Sequence, residues 1–282
     1  MKRYSPSTTE TWLTCPMKRR LRADGWRSRR LGRKELSGAL GTAFAAGMAA
    51  YNTGRAAGLP TDPGLCAAIA VQSIRQEIQR AKDGGASTAN EADAALLASL
   101  EKRAETSIRK YIAADPIPPG WVVLDVERIL PEWGNCRIDL GLDTPQGLVV
   151  LDYKHKITTD ARYLAKDIDR WRLSEQRFHY SNAYGDFIGR PVYAFYICLV
   201  VAEPFKVQLI PFVNQPAELS RWREKREGTT WARMAAEDAG EADVDMAATH
   251  HDAYGACEWV KACFECQLEP GLMAGEYRRE AA

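Results

Sequence analysis

The stretch CRIDLGLDTPQGLVVLDYK, residues 136–154, decides the fold of this chain. Apolar and charged side chains alternate in two runs, and the residues between them, Thr-Pro-Gln-Gly at 144–147, have the composition of a turn. The two runs therefore predict a β-hairpin. A shift of the pairing by one residue would bury the carboxylates, so the alternation also predicts the register. The predicted partners are Thr144 with Gly147, Leu142 with Val149, Leu140 with Leu151, Ile138 with Tyr153, Asp139 with Asp152 and Arg137 with Lys154.

One face of this hairpin is apolar, and the other carries Asp139 and Asp152 opposite each other. Opposed carboxylates about 5 Å apart repel, so the pair requires a cation between them. Oxygen ligands favour a hard ion such as Mg²⁺ or Mn²⁺, completed by water and a substrate phosphate. Lys154 points to the same face, where its ammonium could orient or deprotonate a water and neutralise charge on a phosphoryl group. The apolar face is predicted to consist of Ile138, Leu140, Leu142, Val149, Leu151 and Tyr153.

The segments on both sides of the hairpin predict an α/β core with a helical amino-terminal elaboration. We expect three regions: a helical part with a basic arm at 1–115, the core at 116–236, and an acidic segment with clustered cysteines at 237–282 that packs back on the amino terminus. The predicted helices span 39–57, 67–82, 91–113, about 161–184 and 214–236, and the predicted strands span 121–130, 136–142, 148–154, 192–201 and 205–213.

Charge is distributed unevenly along the chain. The 282 residues carry a formal net charge of +1, which by itself argues against a uniformly basic nucleic-acid binder. Residues 1–34, however, hold eleven Lys and Arg against two acidic residues, and the tail after Glu237 is acidic. This separation predicts a localised, salt-sensitive DNA-binding surface. The longest apolar run, Val192–Ala202, is too short for a membrane helix, and we expect a cytoplasmic protein with no membrane segment.

Several motifs together resemble a known family. The Ile138-Asp139 strand, the turn and Asp152-Tyr153-Lys154 resemble the signature of PD-(D/E)XK nucleases. Gln176-Arg-Phe-His-Tyr180 is similar to the Gln-x-x-x-Tyr motif of the RecB-like branch, and residues four apart share one face of a helix. Residues 4–16, from Tyr-Ser-Pro-Ser to Leu-Thr-Cys-Pro, resemble the opening of RecB-like and CRISPR-associated adaptation nucleases. The resemblance covers nearly the whole chain and implies a restriction-endonuclease-like α/β core, with a mixed central sheet flanked by helices.

The resemblance also implies a role for the matched hairpin residues. Asp139 and Asp152 would hold Mg²⁺ or Mn²⁺, with the carbonyl oxygen of Tyr153 as a further ligand. Lys154 would be the catalytic lysine.

On the following helix, Gln176 and Tyr180 would position the attacking water or the DNA backbone. For Glu127, on the preceding strand, two interpretations stay open: a contribution from the edge of the cleft, or an ordinary surface glutamate. One departure concerns the metal. Family members often carry a metal-binding histidine after Gly-Thr-x-Phe, whereas residues 41–44 are followed here by Ala45. Either water replaces that ligand, or the metal affinity or the activity is reduced.

The cysteines suggest a second inorganic site. Cys257, Cys263 and Cys266 crowd one segment, and in a reducing compartment such clustering favours metal or iron–sulfur ligation. The resemblance implies that Cys15 joins them around a [4Fe–4S] cluster, although the spacing departs from the usual family pattern. Four thiolates also suit Zn²⁺, and the remaining alternative is a set of buried, unligated thiols.

These features favour a metal-dependent deoxyribonuclease, with an exonuclease on DNA ends or single strands as the preferred form. Ala45 motivates a different class, a DNA-binding subunit with a degenerate site. A factor that trims CRISPR spacer precursors together with partner proteins, or a phage or bacterial recombination nuclease, would use the same chemistry. A phosphate-binding track is predicted along the helix after the hairpin, from Arg162, Lys166, Arg170, Arg172 and Arg177.

Overall fold

The computed structural model describes residues 2–24, 26–28, 33–83, 91–157, 160–241, 251–252, 255–256 and 277–279. None of the helices in these ranges is both long and apolar enough to cross a membrane. The elements, in chain order, are α1 (Pro6–Thr14), α2 (Pro16–Ala23), β1 (Trp26–Ser28), α3 (Arg33–Ala56), α4 (Pro63–Asp83), α5 (Glu91–Ala114), β2 (Val122–Leu130), β3 (Cys136–Thr144), β4 (Gly147–Lys156), α6 (Ala161–Arg172), α7 (Glu175–Ile188), β5 (Val192–Val201), β6 (Lys206–Val213), α8 (Pro216–Lys225), α9 (Trp231–Ala239), β7 (His251–Asp252), β8 (Gly255–Ala256) and β9 (Tyr277–Arg279).

A five-stranded sheet in the order β2-β3-β4-β5-β6 forms the centre of the molecule. Neighbouring strands are antiparallel except β4 and β5, which are parallel and are joined by the crossover through α6 and α7. Parallel neighbours need such a crossover because the chain must return to the starting edge of the sheet before the second strand begins, and a tight turn is too short for that. The mixed sheet with flanking helices confirms the predicted α/β fold.

The predicted hairpin register is confirmed from the turn up to Leu140 and Leu151, which is the last pair of the ladder between β3 and β4. Beyond that pair the two strands separate. Asp139 and Asp152 follow at the point of separation, and the carboxylate oxygen Oδ2 of Asp139 accepts a hydrogen bond of 3.0 Å from the backbone N–H of Tyr153. The fork between the strands therefore presents both carboxylates at one place.

The two faces of the sheet are covered by different helices. Side chains from α3, α4 and α5 bury one face, which we call the α3-side core. Side chains from α7 and α9 bury the other, the α7-side core. Along β4, Val149 and Leu151 belong to the α3-side core, while Leu148 and Val150 belong to the α7-side core. Alternation along the strand places Asp152 on the α7 side.

The prediction of a single apolar face was wrong at Ile138, which packs in the α7-side core while Leu140 packs in the α3-side core. The same change of face occurs on β2, between Val126 and Leu130. Glu127 lies between these two residues and has a φ of 49°. Helices cover both faces, so an apolar side chain is buried on either one and alternation alone does not reveal the change.

The predicted helix at 161–184 is interrupted and forms α6 and α7. The hydroxyl of Ser174 accepts a hydrogen bond from the backbone N–H of Arg177 and caps the start of α7. A serine at this position stabilises a new helix start, especially when an acidic residue follows it, as Glu175 does here. The predicted helix at 214–236 is likewise divided by a π-helical turn, Arg226–Thr230.

Helix α7 approaches β3 closely at Gly141. A Cβ atom at this position would lie 2.0 Å from the hydroxyl oxygen of Tyr184, so only glycine fits. The Tyr184 hydroxyl in turn donates a hydrogen bond of 2.8 Å to the buried carboxylate of Asp125. This contact fixes the helix that carries Gln176 against the strand that carries Asp139.

The amino-terminal segment packs against the carboxyl-terminal half of the chain. Helix α1 contacts α7, and the Trp231 indole of α9 donates a hydrogen bond of 3.1 Å to the hydroxyl of Thr9. Further along, β1 pairs with β9 in an antiparallel two-stranded sheet. Helix packing and strand pairing therefore both connect the amino-terminal segment to the carboxyl-terminal half of the chain.

Candidate active site

Four of the residues singled out from the sequence meet where β3 and β4 separate. Asp139 extends from β3, Asp152 and Lys154 from β4, and Gln176 from the first turn of α7. Asp152 is only 2% exposed, and its Oδ2 atom lies 2.7 Å from the Lys154 ammonium. The geometry of this ion pair leaves the buried Oδ2 atom without a directed hydrogen bond.

Gln176 connects the two charged residues of β4. Its amide nitrogen donates a hydrogen bond of 2.6 Å to Oδ1 of Asp152, and its amide oxygen accepts one of 2.9 Å from Lys154. An amide side chain carries both a donor and an acceptor, so it can make both hydrogen bonds at once. Gln176 therefore fixes the carboxylate and the ammonium relative to each other.

The carboxylates of this site resist ionisation. Burial and the neighbouring charge of Asp152 raise the pKa of Asp139, and the hydrogen bond from Tyr153 opposes that shift. Burial also raises the pKa of Asp152, against the opposing effects of Lys154 and Gln176. A bound divalent cation would relieve both penalties, because it compensates the charge that burial and proximity disfavour.

Tyr180 and Tyr153 lie on different sides of the sheet. Tyr180 is buried one turn beyond Gln176, and burial together with the charges of Asp152 and Asp139 raises its pKa. The side chain of Tyr153 points away from the carboxylates, and its hydroxyl accepts a hydrogen bond of 2.9 Å from Asn52. Within the site, Tyr153 contributes its backbone N–H, which donates to Asp139.

Glu127 lies close to the carboxylate pair. The sequence alone was compatible with a position at the edge of the cleft or on the surface. Burial raises its pKa, the charge of Asp152 adds to that shift, and Arg137 at 2.8 Å opposes it. The charge of Glu127 in turn contributes to the raised pKa of Asp139. The available signal was its position on the strand next to Asp139, but a positive φ at a glutamate cannot be inferred from sequence.

The donor set fits a divalent cation that retains several waters. The described residues include no group of three or more Asp, Glu, His or Cys side chains arranged around one point. Mg²⁺ is commonly held by one or two carboxylates, with water and phosphate filling the other positions, so Asp139 and Asp152 suffice. Ala45 lies on α3, where its methyl group offers no ligand.

Of the predicted thiolate ligands, Cys15 is half-buried and has a free thiol. Cys257, Cys263 and Cys266 lie outside the described residues.

Several basic residues that were expected to face DNA form ion pairs with acidic residues of this chain. Arg177 is buried and pairs with Glu218 at 3.1 Å, so it is not part of a surface track. In the amino-terminal arm, three cations are paired with acidic residues of the carboxyl-terminal half, at distances of 2.6–2.8 Å. These are Lys2 with Asp238, Arg3 with Glu227 and Arg19 with Asp238.

A separating hairpin with two carboxylates and a lysine, joined by a glutamine from the crossover helix, is the arrangement that the resemblance to PD-(D/E)XK nucleases led us to expect. The family model of the PD-(D/E)XK nuclease superfamily matches residues 3–265, and the chain belongs to this superfamily. It is therefore a nuclease by family, and the predicted restriction-endonuclease-like fold is confirmed.

Among solved structures, the chain is similar to a protein from Eubacterium rectale described as a candidate exonuclease. The sequence identity is 14%, the TM-score is 0.36, and the alignment covers 74% of this chain and 75% of the other. A comparison with curated protein sequences finds no significant match.

Proposed function

We propose that this protein is a Mg²⁺- or Mn²⁺-dependent deoxyribonuclease that acts as an exonuclease on DNA ends or single strands. The observation that carries the proposal is the buried Asp152, held by both Lys154 and Gln176 beside Asp139. Family membership supports hydrolysis of phosphodiester bonds. The choice of DNA and of an exonuclease mode rests on the resemblance to RecB-like nucleases.

Each residue of the site has a role in this proposal. Asp139 and Asp152 would hold the cation, with the Tyr153 carbonyl as a further ligand, and the bound cation supplies electrostatic stabilisation of charge developing on the phosphoryl group. Lys154 is 30% exposed, so its ammonium can reach a water or a phosphate oxygen while it stays paired with Asp152. Gln176 keeps that ammonium in place, and Tyr180 closes the inner side of the site.

A nuclease assay on end-labelled linear DNA and covalently closed circular DNA, with and without Mn²⁺, tests the proposal. We expect the linear substrate to lose label only when Mn²⁺ is present, and the circle to remain intact. Asp152→Ala should remove this activity. Equal digestion of the circle would contradict the exonuclease mode, and equal rates for the wild type and Asp152→Ala would contradict the site.

A second candidate function is a DNA-binding subunit with an inactive site, and Ala45 is the observation that favours it. It predicts DNA binding without cleavage, and no effect of Lys154→Ala on any measured property. Partner proteins of recombination or CRISPR adaptation are compatible with either candidate function. Cleavage by the purified chain alone would exclude the binding subunit.

We also propose that Cys15, Cys257, Cys263 and Cys266 hold a [4Fe–4S] cluster, with Zn²⁺ as the alternative. The free thiol of Cys15 and the pairing of β1 with β9, near the two ends of the chain, support it. Anaerobically purified protein should contain iron and show a visible absorption band at about 400 nm. Zinc without iron would replace the cluster by the alternative, and the absence of both metals would remove the site.

A further inference from the structure

The outer face of α6 carries an exposed row of aromatic, basic and apolar side chains beside the nuclease site. Its members are separated by three, four and three residues, a spacing that places them on one side of a helix. From the first to the last they extend about 15 Å along the helix axis. The row consists of Tyr163, Lys166 and Arg170 on α6 and of Leu173 in the turn that directly follows it.

These side chains are exposed although the helix has an apolar inner face. Leu164, Ile168 and Trp171 pack into the α7-side core and orient the helix. Tyr163 is 65% exposed, more than any other aromatic side chain that the structure describes, and Leu173 is 70% exposed. Packing therefore explains the inner face of α6 and leaves the outer row without a structural role.

The row is connected to the strand that carries the catalytic lysine. Lys156 lies two residues beyond Lys154, so it shares a face of β4 with that residue. Asp167 pairs with Lys156 on one side and with Arg170 on the other, the latter at 3.2 Å. A chain of ion pairs, Lys156–Asp167–Arg170, therefore links the end of β4 beside the nuclease site to the outer face of α6.

We infer that the outer face of α6 binds single-stranded DNA next to the nuclease site. Cations spaced along a helix match the charge of a phosphate backbone, and an exposed aromatic ring stacks on a base that is not paired. In a duplex the bases are already stacked inside, so Tyr163 selects for a single strand. This surface would make single-stranded DNA the substrate of the proposed nuclease. That the bound strand continues into the Asp139–Asp152 site rests on the proposed function.

Binding of a fluorescein-labelled oligothymidine of about 15 nucleotides to the full chain, measured by anisotropy in EDTA, tests the inference without requiring cleavage. Tyr163→Ala should weaken binding about tenfold, because one base loses its stacking partner. Tyr163→Phe keeps the ring and should restore wild-type affinity. Affinity for a blunt duplex of the same length should change less than about twofold in both variants.

The cations are tested by the salt dependence of binding. Lys166→Gln and Arg170→Gln should each reduce the slope of log affinity against log salt concentration by about 0.7. Arg80→Gln is a matched control for Arg170, since Arg80 on α4 is also exposed and is also paired with a carboxylate three residues away. Leu65→Ala, at an exposed apolar residue of α4, is a control for loss of surface area.

The possible outcomes separate this inference from the proposed function. If Tyr163→Ala binds oligothymidine as tightly as the wild type does, or if the wild type does not bind it, the inference is wrong even when the protein cleaves DNA. If binding depends on Tyr163 but Mn²⁺ supports no cleavage, the proposed function is wrong and the inference stands. Tighter, Tyr163-dependent binding of oligouridine would assign the surface to RNA and overturn the choice of DNA.

Discussion

Two clusters of charged residues in this molecule show opposite electrostatic behaviour. The hairpin group consists of Glu127, Asp139, Asp152, Lys154 and Gln176, and the terminal group consists of Lys2, Tyr4, Arg19, Glu237 and Asp238. In the hairpin group, burial raises the pKa of each of the three carboxylates, and the charge of Asp152 adds to this shift at Glu127 and Asp139. In the terminal group, hydrogen bonds from Arg19, Lys2 and Tyr4 hold the pKa of Asp238 well below its usual range, although partial burial opposes them.

The difference indicates what each cluster does. In the terminal group, the two cations Lys2 and Arg19 offset the two carboxylates of Glu237 and Asp238 and join the amino-terminal segment to α9, which makes it a structural contact. The hairpin group retains uncompensated negative charge in a buried place, which costs stability and is typical of functional sites. Negative charge that the protein leaves uncompensated is available to a cation.

The largest expected effect is on the rate of DNA cleavage, and it distinguishes two lysines that each pair with an aspartate. Lys154 lies 2.7 Å from Asp152, and Lys2 lies 2.8 Å from Asp238. Lys154→Ala should reduce DNA cleavage with Mn²⁺ by about a thousandfold, because positioned proton transfer and charge stabilisation are lost together. Lys2→Ala should leave the rate within about twofold. Similar losses in both variants, at equal folded fractions, would remove the distinction between the clusters.

The next effect concerns stability. Arg19 is 7% exposed and pairs with Asp238, while Glu237, which is 1% exposed, lies 3.8 Å away. Arg19→Met should lower the free energy of unfolding by about 3 kcal/mol, because it removes the buried guanidinium that pairs with Asp238 and lies beside the buried Glu237. The exposed Arg20 serves as the control, and Arg20→Met should cost less than about 0.5 kcal/mol in the same urea titration.

The Arg19→Met variant also tests whether the terminal group is separate from catalysis. At a temperature where it is fully folded, its rate of DNA cleavage per molecule should remain within about twofold of the wild type. A folded but inactive Arg19→Met protein would show that the terminal group takes part in the reaction.

Replacing an aspartate by asparagine should change the free energy of unfolding in opposite directions in the two clusters. In metal-free protein at pH 8, Asp139→Asn should raise the free energy of unfolding by about 1 kcal/mol, since it removes a buried charge next to Asp152. The gain should disappear below about pH 4, where the carboxyl group is protonated in both the folded and unfolded states. Asp238→Asn should lower stability at pH 8, because the lowered pKa of Asp238 means that its charge stabilises the fold. Chemical denaturation at both pH values measures the two signs, and equal signs at pH 8 would contradict the comparison.

The smallest effect tests one hydrogen bond. The Tyr4 hydroxyl donates to Asp238 at 2.7 Å, and Tyr4→Phe should cost about 1 kcal/mol of unfolding free energy. Tyr163→Phe, at an exposed hydroxyl, should cost less than about 0.3 kcal/mol. If the two substitutions have the same effect, the Tyr4 hydrogen bond does not stabilise the terminal group.

Much of the fold follows from local sequence patterns. The alternation at 136–154 predicted the hairpin and its register from the turn to Leu140 and Leu151, and the order of strand-like and helical runs predicted the α/β core. The mixed sheet was implied by the family resemblance. The break at Ser174 was missed because helical periodicity continues across it. The face change beside Glu127 depends on a positive φ, which no pattern of side chains specifies.

The candidate site was predictable where its residues are close in sequence or share a known motif, as for Asp139, Asp152, Lys154 and Gln176. The ion pairs of the basic arm were not predictable, because Arg19 and Asp238 meet only through the tertiary fold. Net charge along the chain indicated a free basic surface, whereas at Lys2, Arg3 and Arg19 acidic residues of the carboxyl-terminal half compensate the charge. Local charge counts therefore predicted which residues carry charge but not whether a partner already compensates them.

We propose that the negative charge of the hairpin group is left uncompensated by the protein because a divalent cation binds there. A thermal melt at pH 8 with increasing Mn²⁺ tests it directly. At about ten times its dissociation constant, Mn²⁺ should raise the melting temperature of the wild type by about 3 °C or more. Asp238→Asn should keep this rise, and Asp139→Asn should lose it. An equal rise in Asp139→Asn and in the wild type would contradict the claim.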